Sequence, residues 1–355
     1  MFYRNFLKPI LFKFPPELVH DVFMTIGEFL GRFVFTRSLV GLIYEYKRDD
    51  AQVVVDGLTY KTPLILSAGF DYNGRLTQIL SKLSFGGVEV GSVTSRPCKG
   101  NEYPRLKRLP LSQSILVNKG LRNDGVDVII KRLKSRHQKE KLIIGVSIAR
   151  TNDKTSASVE DGIADYCYSF RRLNEENVGD FYTLNISCPN AYGGEVFTTP
   201  LLLERLLTEI KKIPCPKPVY IKLPINLSWE EIDKIVNIIK RLKFQGVIAG
   251  NLNKSYESLH LDEVPTAYEG GVSGKPCANL SNDIISKIKK KYGNQLTIIG
   301  CGGVMTSKDA LIKFDLGSDL IALITGMIYS GPGLLKEISK NYARRNKPGA
   351  NSSMG

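Results

Sequence analysis

Eight short apolar runs, mostly separated by helical patterns, restrict this chain more than any other feature. They fall at residues 64–68, 88–93, 142–149, 182–186, 219–223, 246–249, 296–299 and 320–324. A run without polar alternation suits a strand covered on both faces, and that calls for a parallel sheet under helices. Eight such units over roughly 260 residues fit a (β/α)8 barrel of the α/β class. An open doubly wound sheet is the competing arrangement. Ahead of the first run, residues 53–60 place Asp56-Gly57 among β-branched residues, a hairpin signal.

Residues 1–45 have a different character. The first fourteen carry Phe2, Tyr3, Phe6, Leu7, Ile10, Leu11, Phe12 and Phe14, interrupted by Arg4, Lys8 and Lys13. Pro15-Pro16-Glu17 then opens a helix, because Pro suits the first turn and Glu complements the dipole there. Leu18, Val19, Val22, Phe23, Ile26, Phe29 and Leu30 follow at gaps of mostly three or four, with Gly31 as the stop. Two short aromatic-rich helices result. Such helices lie in a membrane interface or dock on the protein's own core, and the pattern serves either use. The expected organisation is a two-helix extension over 1–45, a barrel over 46–345 and a polar tail over 346–355.

Composition excludes several classes. Lys plus Arg exceeds Asp plus Glu by 49 to 35, yet no aromatic-interleaved basic stripe or nucleic-acid motif accompanies the surplus. No nucleic-acid partner is expected. The six cysteines stand singly, with no C-x-x-C pair and no neighbouring His at ligand spacing, so no metal or iron–sulfur cluster is expected. With no signal peptide and no apolar run of 18 residues, the expected setting is the reducing cytoplasm, without a membrane span.

In such a barrel the active site forms at the C-terminal strand ends. The first run ends in Ser67-Ala68-Gly69, and the second leads through Ser92 to Thr94. The fourth ends in Asn185-Ile186-Ser187-Cys188-Pro189-Asn190, the fifth carries Lys222, and the sixth leads to Asn251. Gly302-Gly303 follows the seventh run and Thr325-Gly326 the eighth, the usual place for an anion held by backbone N–H groups. No Asp-Lys or paired-Glu set lies there, so phosphoryl transfer and glycoside hydrolysis lack their parts. Lys222 in an apolar strand is costly unless it meets an anion or a reduced cofactor, or else serves a structural ion pair. Asparagines 185 and 190 suit the imide or amide edge of a small ring. Cys188 between them suits a general base if its surroundings lower its pKa, and otherwise reads as a small buried hydrophobe.

At this string the chain resembles the dihydroorotate dehydrogenases, and the resemblance spans nearly its whole length. Further matches are Ser67–Asp71, Glu89–Thr94, Gly100-Asn101 with Pro104-Arg105, Lys222, Gly270–Pro276, 299–303 and Gly331-Pro332. The resemblance implies FMN at the barrel mouth and oxidation of dihydroorotate to orotate in pyrimidine biosynthesis. It implies cofactor contacts from Ser67, Ala68, Gly69, Ser92, Thr94, Ser147, Asn185, Lys222, Gly274, Gly302, Gly303, Thr325 and Gly326. Substrate contacts fall to Asn118, Asn185, Asn190, Asn251 and Tyr72, with Cys188 as general base. The extension, with Pro16-Glu17 and His20, is similar to the quinone-using, membrane-associated class. That similarity implies quinone access at His20 and Arg105 and peripheral attachment to the cell membrane.

Several positions depart from the family pattern. Cys188 stands where the quinone-using class has serine, and Tyr72 where it has lysine. Ser147 replaces an asparagine, Gly91 matches a lysine of the soluble class, and the loop 118–125 is one residue short. A related FMN oxidoreductase for another cyclic imide or enone is therefore an alternative, and a non-catalytic membrane flavoprotein is a third.

Overall fold

The structure is a computed structural model that describes residues 2–135, 142–188, 190, 192, 194–263 and 270–346. The hairpin forms as its sequence dictates. Strands β1 (Val53–Val55) and β2 (Leu58–Tyr60) pair antiparallel, and Asp56 and Gly57 take positive φ between them. Then come β3 (Leu64–Leu66), β4 (Gly87–Val93), β5 (Leu106–Leu109), β6 (Ser114–Val117), β7 (Ile143–Ile148) and β8 (Phe181–Asn185). The series ends with β9 (Val219–Leu223), β10 (Gly246–Ala249), β11 (Gly271–Gly274), β12 (Thr297–Cys301) and β13 (Leu320–Leu323).

Strands β3, β4, β7, β8, β9, β10, β12 and β13 close in that order into a parallel barrel, with β13 returning to β3. All eight apolar runs are barrel strands, each within two residues of its expected ends. Side chains of Ile, Leu, Val and Phe from the strands and covering helices make one continuous core between barrel wall and helix layer.

The hairpin covers the N-terminal end of the barrel. Val55 and Tyr60 pack there with Ile65, Phe181, Tyr220, Ile248 and Ile299. Asp56 accepts hydrogen bonds from Tyr220 (2.7 Å) and Thr297 (2.8 Å), tying the turn to the barrel floor. That end is filled, so the space for a ligand lies at the other.

Over the C-terminal end sits a feature the sequence pattern does not announce, an antiparallel sheet ordered β11–β6–β5. Against it lies the N-terminal extension, which has three helical segments where two are expected. Residues Tyr3–Leu7 run as a π-helix into α1 (Lys8–Leu11), followed by α2 (Pro16–Arg32) and α3 (Val34–Tyr44). The third escapes a periodicity reading because Val-Phe-Thr-Arg-Ser-Leu-Val-Gly-Leu-Ile-Tyr is apolar on most sides and starts just past Gly31. The helix α2 also runs past Gly31 to Arg32. Of the tail, only Asn346 falls within the described residues.

The helix α2 carries apolar side chains on more than one side. Val19, His20, Phe23, Ile26 and Leu30 line the cavity, Phe23 and Ile26 while partly open to solvent, and Leu18, Val22 and Phe29 are exposed without lining it. Among the described residues, fifteen of the twenty-three exposed large apolar side chains lie in residues 2–43. Exposed apolar side chains are thus concentrated in the extension. No helix among the described residues is long and apolar enough to cross a membrane.

Candidate active site

At the C-terminal strand ends one cavity of about 470 Å³ runs from the barrel mouth to the extension. Its inner wall is Ser67, Ala68, Gly69, Lys222, Asn251, Gly274, Gly302, Gly303, Thr325 and Gly326. Its outer wall is Tyr3, Leu7, Leu11, Val19, His20, Phe23 and Ile26, with Ile328 and Pro332. A polar mouth thus opens directly into an apolar shaft.

Two of the glycines at the mouth, Gly303 and Gly326, have no room for side chains. A Cβ on Gly303, at φ +75°, would lie 2.3 Å from Ala278 Cα, and one on Gly326 would lie 1.9 Å from Val304 O. The backbone is therefore packed tightly against its surroundings at these two positions of the cavity lining. Ser273 Oγ and Thr325 Oγ1 are hydrogen-bonded at 2.9 Å beside them.

Lys222 on β9 is buried and reaches across the barrel. Its Nζ donates to Ser67 Oγ (3.3 Å) and lies 3.9 Å from Glu89 Oε2. Glu89, on fully buried β4, accepts the Ala68 N–H through Oε2 (3.1 Å), while its Oε1 has no partner. Sequence reasoning quoted Glu89 within a motif and gave it no role. A lone carboxylate in a seven-residue buried strand was the available signal.

Beside the mouth is a chain of amides and hydroxyls. Asn185 Nδ2 donates to Ser92 Oγ (2.8 Å), and Ser92 and Ser147 are hydrogen-bonded at 2.8 Å. Asn251 Nδ2 reaches Asn185 Oδ1 (3.3 Å) and Ser187 O (2.7 Å). Thr94 turns away, its hydroxyl donating to Arg96 O, and serves the following loop. A second amide group joins Asn118, Asn101 and Asn190. Asn101 Nδ2 donates to Asn118 Oδ1 (2.6 Å) and Asn190 O (3.2 Å), and Asn190 Nδ2 donates to Val117 O (2.8 Å). Asn190 Oδ1 is buried with no hydrogen-bond partner among the described residues. Asn101 is the connecting residue that sequence reasoning left unassigned.

Cys188 is half-buried in the loop after β8. Burial pushes its thiol up to about 11, the Asn190 N–H and the nearby Lys254 and Lys222 drawing it down and Glu195 raising it. At neutral pH it is therefore a thiol.

At the junction of mouth and shaft, Tyr72 stacks on His20 with ring centres 5.7 Å apart. His20 Nε2 donates to Phe70 O (2.9 Å), and burial, aided by Lys119, holds the imidazole down to about 4, so it is neutral. Arg105 is buried behind the cavity wall and is not part of it. Its N–H donates to Glu17 Oε2 (3.2 Å), its guanidinium donates to Asn101 O, and it lies 4.1 Å from the Tyr103 ring centre. Lys119 and Arg108, neither singled out beforehand, do line the cavity. No group of acidic, His or Cys side chains able to hold a metal occurs among the described residues.

Fold and site together define an α/β-barrel protein whose cavity is lined by glycines after its last two strands and covered by the N-terminal helices. The family model for dihydroorotate dehydrogenase matches residues 50–345, and the chain belongs to that family. A dihydroorotate dehydrogenase (quinone) of Christiangramia forsetii is 34% identical, covering 97% of this chain and 99% of its own length. One from Shewanella frigidimarina is 33% identical, with 97% and 100% covered. The ligand-free dihydroorotate dehydrogenase of Eimeria tenella superposes with a TM-score of 0.81 at 27% identity, covering 92% of this chain and 94% of that one. The same enzyme in complex with ferulenol gives a TM-score of 0.78 at 25% identity, with 92% and 90% covered.

Proposed function

We propose that this chain oxidises dihydroorotate to orotate with FMN as cofactor and passes the electrons to a quinone. The observation that carries this reading is the single cavity joining the polar mouth to the apolar shaft. Such a cavity lets a polar ring and a lipophilic acceptor approach one cofactor from different directions.

The residues at the mouth fit FMN. Gly302, Gly303, Thr325 and Gly326 would hold its phosphate through backbone N–H groups, and Ser67, Ala68, Gly69, Gly274 and Lys222 would line its remaining length. Ser92, Ser147 and Asn185 would support it from the network beside the mouth, and Thr94 would act through the loop it anchors. FMN, when bound, supplies the hydride acceptor and the store of two electrons. Lys222 provides positive charge beside it, with Glu89 keeping that charge in place.

Asn118, Asn185, Asn190 and Asn251 would meet the amides and carboxylate of dihydroorotate, the unpartnered Asn190 Oδ1 taking a ring N–H. Tyr72 would close the side toward the shaft. Cys188, as thiolate, would take the proton from C5 as the C6 hydride departs. His20 would form the neutral wall of the quinone path, and Arg105 would brace it from behind through Glu17 and Asn101.

The apolar face of the extension, edged by Arg4, Lys8, Lys13 and Arg32, supports peripheral attachment to the cytoplasmic face of the cell membrane. Quinone dissolved in the bilayer would then enter beside α1 and α2. A related FMN oxidoreductase for another cyclic imide or enone is the second reading, favoured by Tyr72 and Ser147 on the substrate side.

Turnover assays decide between the two. Dihydroorotate with a decyl-tailed benzoquinone should sustain turnover, and other cyclic imides and enones should not. Turnover with one of those compounds and none with dihydroorotate would replace the first reading with the second.

A further inference from the structure

Three cationic side chains line the cavity among the described residues, Arg108, Lys119 and Lys222. Two have acceptors. Arg108 donates to Phe14 O (2.7 Å), and Lys222 meets Ser67 and Glu89. Lys119 has no hydrogen-bond or ion-pair acceptor among the described residues, and its ammonium lies 4.7 Å from the centre of the Tyr72 ring. Its place in the loop decides which way it serves. Asn118 turns to Asn101 and the asparagine group, while Val117 and Lys119 on either side of it face the cavity.

Resting on the proposed function, we infer that Lys119 binds the acceptor, its ammonium donating to a carbonyl oxygen of a quinone head held in the shaft beside α2. Apolar walls leave a quinone carbonyl no competing water, and that oxygen gains negative charge as electrons arrive. A fixed cation there stabilises the change more than it would in water. His20 is unable to do this, being neutral with Nε2 committed to Phe70 O. The groups around Lys119 are Glu17, His20 and Asp21 of α2, Tyr72 after β3, and Arg105 and Arg122. Burial brings the ammonium down to about 8, while Glu17 and Asp21 favour its charged form.

The test compares wild type with Lys119→Met and Lys119→Arg, using a decyl-tailed benzoquinone. Losing one charge-assisted hydrogen bond should raise the quinone KM about tenfold in Lys119→Met, with most of the loss recovered in Lys119→Arg. The KM for dihydroorotate and the anaerobic bleaching rate should stay within about twofold of wild type. The quinone KM of wild type should rise above about pH 8 as the ammonium is lost, and that of Lys119→Arg should stay level there. An unchanged quinone KM in Lys119→Met overturns the inference. So does a defect confined to bleaching, which would move Lys119 to the substrate side. Should dihydroorotate fail to bleach the wild type, photoreduced protein reoxidised by the same quinone still reads Lys119. Failure of the substrate reading and failure of this one therefore remain distinct.

Discussion

One methyl group on Gly303 is the smallest change that should empty the mouth of the barrel. Gly303 sits at φ +75°, where an L side chain adds about 1–2 kcal/mol of strain. The added Cβ would lie 2.3 Å from Ala278 Cα and 2.6 Å from Ala278 N. Ala278 begins the helix Ala278–Tyr292, whose Ile284, Ile285 and Ile288 are in the core, so the loop must yield and not the helix. Ordinary contact begins near 3.4 Å, and the required displacement is therefore about 1 Å. A 1 Å shift takes an N–H group out of hydrogen-bond range of an anion. Losing one charged hydrogen bond is worth about 1.5–3 kcal/mol, so FMN affinity should fall roughly 10- to 100-fold. Titrating apo-protein with FMN and following flavin fluorescence gives the Kd directly. Melting of the apo-protein reports separately on the fold and should drop by only a few degrees. A Gly303→Ala protein binding FMN within about twofold of wild type would refute the placement of the phosphate at this rim.

Cys188→Ala should retain flavin but lose at least about a hundredfold in kcat, and a variant with wild-type turnover would remove Cys188 as the base. Because its thiol is raised to about 11, the thiolate fraction grows about tenfold per pH unit between 7 and 10, and kcat should climb with it; a flat profile there would contradict the assignment. Lys222→Met strands the buried Glu89 carboxylate and should destabilise the protein by about 3–5 kcal/mol. Adding Glu89→Gln should restore melting but not the rate of flavin reduction, and a single variant that melts like wild type would show that the pair is not needed. Phe2, Phe6 and Phe35 are 72%, 64% and 77% exposed, so replacing all three by Ser should leave melting unchanged and weaken sedimentation with anionic vesicles. Equal vesicle binding by the triple variant would argue against membrane attachment through this face.

The barrel could be read from the chain because parallel strands under helices carry unbroken apolar runs, and eight of these recur with helical patterns mostly between them. Residues proposed to act at strand ends, such as Ser67, Lys222, Asn185 and Gly302, follow directly once the strands are placed. The sheet β11–β6–β5 could not be read, since Leu-Lys-Arg-Leu and Gly-Val-Ser-Gly carry no strand signal. Two of its strands are about 160 residues apart in sequence, and only the closed barrel brings them together. Lys119 escaped notice for a related reason. Among 49 basic residues it looks like any surface lysine until it is seen lining the cavity. Arg105 illustrates the reverse, since a motif match gives no indication that Glu17 and Asn101 hold it behind the wall.

The most direct test is anaerobic spectroscopy of the purified protein. Adding dihydroorotate to the yellow enzyme should bleach the flavin within a turnover time, and a decyl-tailed benzoquinone should then restore the colour without oxygen. A flavin that remains oxidised with dihydroorotate, in a protein whose cofactor is otherwise reducible by light, would contradict the proposed function.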